Sequence, residues 1–256
     1  MNLQSELIIL NDSIWLEKQK IAGQAVKECL LSCQSLIESK IPNLSLKDIE
    51  SECENIINKY DCSPTFLNYN GFPGAICTSV NKVIVHGIPT SYKLKDGDII
   101  KIDIGATFKD SIADAARTFI YGEAKSKKHI DMINSCRKSL QEGINHIKVG
   151  NRLGKVSDAI FKTIKKSGFK AILHYGGHGI TKNKLHASPF VNNKALPDSG
   201  IVIQPGLCIT LEPMVTIGSN KTKVGKDGWS VYTKDVSAHF EDTIFVHDDK
   251  IDIITN

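Results

Sequence analysis

Hydrophobic positions along the chain change their spacing several times, and each change marks an element. Behind the cap candidates Asn11, Asp12 and Ser13, the apolar residues Ile14, Ile21, Ala25, Cys29 and Leu36 recur at helical intervals. A second helix follows Ser45, with Leu46, Ile49, Cys53, Ile56 and Ile57 on one face. Both read as covering helices. From Phe66 the pattern gives way to a loop punctuated by glycine and proline. A hairpin expected to turn at Asn81-Lys82 comes next, with His86 closing its second strand just before Gly87. A lone histidine at a strand end is ordinarily structural.

After the turn signal Asp96-Gly97-Asp98 the spacing becomes alternate. Ile100, Ile102 and Ile104 share one face of a strand, and Ile99, Lys101 and Asp103 share the other. On the strand that follows, Ile112, Asp114 and Ala116 lie on one face. A turn at Phe108-Lys109 would set Asp103 directly opposite Asp114, with Cβ atoms about 4.5–5.5 Å apart. Like charges so placed repel and burial makes ionisation costlier, two objections that a cation between them removes. Taken alone, the stretch is equally compatible with two solvated aspartates flanking a turn in a register one residue away.

Two further amphipathic helices are predicted over about 127–146 and 153–166, the second stopped by Gly168. Then Gly176-Gly177-His178-Gly179 places glycines on both sides of a histidine, freeing the backbone for close approach and leaving the imidazole uncrowded. His186 follows eight residues later. Finally, 207–215 and 237–246 read as buried strands, each carrying one glutamate, Glu212 or Glu241. A buried carboxylate needs a partner. The three arginines, Arg117, Arg137 and Arg152, are too few and too far along the chain to be the obvious ones.

Composition narrows the setting. With 256 residues, 41% of them hydrophobic, the chain is expected to form a single α+β domain over 1–256, helices in about 1–60 covering it. Seven cysteines, an odd number without a CxxC pair, argue against a disulfide framework and for a reducing compartment. No basic segment opens the chain, and the apolar run at 7–10 is too short for a signal or membrane segment, so a soluble cytoplasmic protein is expected. The net charge of +4 is compatible with a weakly anionic partner such as ribosomal RNA, but is ordinarily a solvated surface.

Four carboxylates (Asp103, Asp114, Glu212, Glu241) and His178, each on or beside a strand, form a mostly oxygen ligand set. Such a set suits two hard or borderline divalent ions, the pattern of a dinuclear hydrolase. The segments Val83-Ile-Val-His-Gly-Ile-Pro89, Lys101-Ile-Asp-Ile-Gly105, Asp110-Ser-Ile-Ala-Asp114, Gly176-Gly-His-Gly-Ile180, Leu211-Glu-Pro-Met-Val215 and Phe240-Glu-Asp-Thr-Ile244 resemble, in order, those of the type I methionine aminopeptidases.

That resemblance implies a pita-bread fold, a central antiparallel sheet flanked by helices. It implies that Asp103, Asp114, His178, Glu212 and Glu241 bind two divalent metal ions (Co, Mn, Fe or Zn), with Asp114 and Glu241 bridging. It gives Glu212 and His186 catalytic roles, sets His86 and His186 against the substrate, and puts Tyr69, Phe72, Cys77, Leu185 and Trp229 around a methionine side chain. The implied activity is removal of N-terminal methionine from nascent polypeptides whose second residue is small and uncharged. The implied protein is a monomer that touches the ribosome transiently and binds neither DNA nor membrane. In two places the chain departs from the family pattern. Thr181 stands where glycine is common, with the His178 to His186 spacing one residue longer, and His239 stands where glutamine is common. Without an N-terminal zinc-binding extension or a long helical insertion, the chain resembles the bacterial or organellar type. Two rivals share the fold, a proline-directed aminopeptidase and a non-enzymatic binding protein. The first usually has a further N-terminal domain, and the second has lost metal ligands.

Overall fold

A computed structural model describes residue 10 and residues 12–256. Asn11 and most of the apolar run at 7–10 lie outside the described residues. Along the chain, α1 (Ser13–Glu38) and α2 (Leu46–Lys59) precede strands β1 (Ser63–Pro64), β2 (Cys77–Val80) and β3 (Val83–Val85) and the hairpin β4 (Asp98–Phe108) and β5 (Ser111–Tyr121). Helices α3 (Lys127–Asn145) and α4 (Leu153–Lys166) lead into β6 (Lys170–Ala171), β7 (Gly176–Thr181) and β8 (Lys184–Asn192). The remainder is β9 (Cys208–Leu211), β10 (Met214–Thr216), β11 (Thr222–Val224), β12 (Val231–Thr233), β13 (Ser237–His239), β14 (Asp242–Val246) and β15 (Ile251–Ile253).

The Asp12 carboxylate accepts the Trp15 N–H at 2.9 Å and starts α1. Ser45 and Asp48 close a reciprocal capping box on α2. The residues expected to face inward on α2 do so, but α1 is turned relative to its predicted face. Ile14 is 70% and Ile21 38% exposed, while Trp15, Ala22, Val26 and Cys33 are fully buried beside Ala25 and Cys29. Apolar residues occupy both sides of α1, so spacing alone does not select the stripe that packs on β4 and β5.

Among the described residues all strand pairs are antiparallel, and they form four groups. In one, β1 and β2 share an edge of β4 while β5 takes the other. A second runs β15-β14-β9-β7-β8, a third β13-β10-β6 and a fourth β11-β12-β3. Asn81, at φ +53°, makes the expected turn between β2 and β3, but these strands separate to pair with β4 and β12.

The strands expected over 207–215 and 237–246 are each broken. The chain passes from β9 to β10 through Glu212-Pro213 and from β13 to β14 through Phe240-Glu241, changing sheet at both points. Proline has no N–H with which to continue the ladder. Across the other break, Glu241 exchanges both backbone hydrogen bonds with Ala116 of β5, at 2.9 and 3.3 Å. That bridge ties the hairpin group to the other sheets. The main core beneath α1 and α2 includes Ile100, Ile102 and Ile104, and a second core beneath α3 and α4 includes Ile209, Leu211 and Ile244.

Candidate metal centre and substrate cavity

The β4–β5 hairpin corrects the expected register. Its turn lies at Lys109-Asp110, so Asp103 stands opposite Ala116, and Asp114 opposite Gly105. Contacts from elsewhere fix the turn. Trp15 Nε1 donates to the Asp110 carbonyl at 3.2 Å, and Lys18 Nζ meets the Asp110 carboxylate at 2.9 Å. The correction is one step on both strands, so Asp103 and Asp114 remain on one face as diagonal neighbours. Asp114 is fixed by its backbone, which exchanges hydrogen bonds with the Thr243 hydroxyl at 2.9 and 2.7 Å.

The glycines around His178 have a sharper cause than the freedom expected of them. A Cβ at residue 177 would lie 2.1 Å from the Thr210 carbonyl oxygen, and one at residue 179 would lie 2.1 Å from that of Ser188. Neighbouring strands close on β7 from both sides and hold His178 between them. Its Nε2 lies 3.9 Å from Asp114 Oδ2 and 3.9 Å from Glu212 Oε1. Ligand atoms of Asp114, His178 and Glu241 lie within 4.8 Å of one another, as do those of Glu212, His239 and Glu241. Asp103 belongs to neither tight triad but lines the same cavity.

The electrostatics call for positive charge. Burial raises Asp103 to about 6 and Glu212 to about 7. Burial and the adjoining carboxylates hold Asp114 and Glu241 well above the carboxylate range. The imidazoles do not compensate, because burial lowers His178 and His186 and takes His86 and His239 down to about 4. Arg117 comes close without pairing with these carboxylates. Its guanidinium donates to the Glu241 carbonyl at 2.5 Å and to Asp242 Oδ1 at 2.7 Å. Among the described residues, Asp103 Oδ1, Asp114 Oδ1 and Glu241 Oε1 are buried without a hydrogen-bond partner. Oxygen-rich, buried and unpaired, this donor set fits divalent cations.

A cavity of about 220 Å³ opens beside the carboxylates. Of the residues expected around a substrate, Tyr69, Phe72, Leu185, Trp229, His86 and His186 line it. Phe72 and Trp229 meet edge to face, their ring centroids 5.2 Å apart. The Tyr69 hydroxyl lies 2.8 Å from His186 Nδ1, which leaves the other ring nitrogen of His186 for the cavity. Cys77 is not among the lining residues. It pairs with Asp103 across β2 and β4, and burial, followed by the charges of Asp103, Asp114 and Glu241, raises its thiol well above the ordinary range. Phe66, Asn70 and Val85 also line the cavity and were not anticipated. The left-handed Asn68, Asn70 and Gly71, at φ +63°, +50° and +87°, shape the loop that delivers Tyr69 and Phe72. Its Asn-Tyr-Asn-Gly text is the signal that could have drawn attention to Asn70. A wider groove lined by Tyr175, Lys184, Ser188 and Phe190 shares His86, His178, His186 and Glu212 with the cavity.

A buried carboxylate and imidazole centre at the mouth of an apolar cavity, carried on antiparallel sheets covered by helices, is the site of a metal-dependent hydrolase. The sequence profile of metallopeptidase family M24 matches residues 17–248, and the chain belongs to that family. Within the family it is similar to a methionine aminopeptidase of Mycoplasma capricolum, 36% identical over 97% of this chain and 98% of the relative. The crystal structure of a methionine aminopeptidase from Thermotoga maritima superposes with a TM-score of 0.93 at 36% identity, covering 98% of this chain and 99% of that one. The fold is the pita-bread arrangement expected. A prolidase from Pyrococcus furiosus shares it with a TM-score of 0.77 at 17% identity, but this chain covers 65% of that protein's length.

Proposed function

We infer that this protein is a metal-dependent aminopeptidase that removes the N-terminal methionine of polypeptides. One observation carries the reading: a single cavity of about 220 Å³ joins the carboxylate centre to an apolar slot, with the wider groove leading away from their shared histidines. One unbranched side chain fits the slot while the rest of a peptide follows the groove, which is exopeptidase geometry.

Asp103, Asp114, His178, Glu212 and Glu241 would hold two divalent ions, drawn from Co, Mn, Fe or Zn. Bound ions supply Lewis acidity and lower the pKa of water. Glu212, on the cavity wall beside His178, is the carboxylate placed to take up a proton and deliver it to the departing amine. His186, oriented by Tyr69, donates to the carbonyl oxygen as charge develops there. His86, half-buried at the junction of cavity and groove, holds the peptide beyond the scissile bond and limits the second side chain to small, uncharged ones. Phe66, Tyr69, Phe72, Leu185 and Trp229 receive the methionine thioether, and Cys77 stands beside Asp103 across β2 and β4.

The whole of 1–256 acts as one catalytic unit, with α1 and α2 as its cover. It works as a cytoplasmic monomer on nascent chains and meets the ribosome transiently. The small positive charge and the seven buried free cysteines support this setting. Among the described residues no helix is long and apolar enough to cross a membrane.

The decisive measurement is kcat/KM for Met-Ala-Ser, Nle-Ala-Ser, Ala-Ala-Ser, Met-Phe-Ser and Ala-Pro-Ser, with and without chelator. Met-Ala-Ser should be best and norleucine close behind, since a pocket of this kind discriminates by only about 1–3 kcal/mol per methylene. Chelator should abolish turnover. Preference for Ala-Pro-Ser, or equal rates for Met-Ala-Ser and Met-Phe-Ser, would overturn the specificity.

A further inference from the structure

His239 closes β13, two residues before Glu241, and its Cα partner across the ribbon is Met214, two residues beyond Glu212. Its backbone is pinned from β5. The Thr118 hydroxyl donates to the His239 carbonyl at 2.6 Å and accepts the His239 N–H at 2.9 Å. The ring is 1% exposed, and among the described residues neither ring nitrogen has a hydrogen-bond partner. Burying an imidazole unpaired is costly, so both its place and its orientation call for an explanation.

Nε2 supplies one, lying 3.6 Å from Glu212 Oε2 and 3.7 Å from Glu241 Oε2. These separations exceed hydrogen-bond length, about 2.7–3.2 Å for N–H···O. They do match two donors sharing one ion, since atoms each about 2.0–2.2 Å from a metal stand roughly 3–4 Å from one another. On the opposite side His178 Nε2 keeps nearly the same spacing, 3.9 Å, from Asp114 Oδ2 and Glu212 Oε1. The Glu212 carboxylate therefore lies between two imidazoles and turns one oxygen toward each.

We propose that His239 is a sixth metal ligand, so that the centre has one imidazole for each of its two ions. The proposal rests on the two-ion reading given above. A second nitrogen donor moves the site's preference toward borderline cations such as Co²⁺, Fe²⁺ and Zn²⁺ and away from hard ones.

The test uses the full chain loaded with two equivalents of Co²⁺, whose unpaired electrons shift the proton resonances of any ligating imidazole. Two hyperfine-shifted exchangeable imidazole N–H signals are expected, and His239→Gln should leave one. Calorimetric titration of His239→Gln should show one of the two Co²⁺ ions bound at least about 10-fold more weakly, the lower bound for loss of even an indirect metal partner. A single shifted signal in the unaltered protein overturns the assignment whether or not the variant folds. Undiminished binding of both ions by a folded His239→Gln also overturns it. No shifted imidazole signal at all would remove the metal-centre reading itself, and this proposal with it.

Discussion

Asp114 and Glu241 are each at most 3% exposed, and each keeps one carboxylate oxygen without a hydrogen-bond partner among the described residues. Packing cannot be the reason for two such side chains, because an apolar residue of similar size would fill the space without the cost of burying charge. Asp114→Asn and Glu241→Gln keep the shape and remove the charge. Each should lower kcat/KM by at least about 10²-fold, beyond the 10–100-fold typical of residues that merely support a metal ligand. Each should also bind less than the full complement of metal, read by elemental analysis after dialysis. Near-normal turnover in either variant would refute the ligand assignment. Melting temperature should hold or rise in the chelated variants, since a repulsive charge has gone.

At the scale of elements, β7 is held by the absence of side chains. Gly177→Ala or Gly179→Ala would drive a Cβ to 2.1 Å from a neighbouring carbonyl oxygen, so strands must part before the residue fits. The expected cost is at least the 1–3 kcal/mol of ordinary overpacking, measured by urea unfolding of the chelated protein. An unchanged midpoint would mean that the sheet yields freely. The residues that gather at the centre were legible in the sequence because each broke a pattern: carboxylates in apolar strands and a histidine among glycines. The spans of α3 and α4 were legible for the same reason, since their periodicity is strong and bounded. What escaped was decided by distant parts of the chain. Trp15 and Lys18 fix the turn at Lys109-Asp110, and nothing in the hairpin's own text reports them. The stretch 207–215 is largely apolar, so its change of sheet at Glu212-Pro213 leaves only the proline as a clue. The facing of α1 was equally hidden, because Ile14 and Ile21 are as apolar as the residues that pack.

For the whole molecule, the carboxylate cluster ties stability to pH in a direction opposite to that of salt-bridged acids. Asp103 at about 6 and Glu212 at about 7 bind protons more tightly folded than unfolded, where ordinary carboxyls titrate near pH 4. Their contribution is fully present below about pH 4 and is lost as pH rises through 6 and 7. Buried His86 and His239, at about 4, act in the opposite sense up to about pH 6.5, so the carboxylate contribution is read as a difference: from pH 5 to pH 7.5 the chelated protein should lose melting temperature relative to chelated Glu212→Gln. Added Co²⁺ or Mn²⁺ should restore more at the higher pH, by mass action on the folded state. A melting temperature that rises with pH relative to Glu212→Gln would contradict the charge assignment. The sheet crossings add a mechanical reading. Glu212 and Glu241 sit where a two-stranded ribbon folds from one sheet into another, and one core spans the crease, with Leu211 and Ile244 on one side of it and Val215 and Ala238 on the other. On the ligand assignment proposed above, cations held there would act as rivets through the fold line. Stripping them should loosen the crease before either core, so the Ala116 and Glu241 amides should gain hydrogen exchange while Ile102 and Ile244 stay protected. Any flexing of one sheet against the other would then alter the spacing of Glu212 and Glu241, so that ion affinity would serve as a strain gauge for the crease.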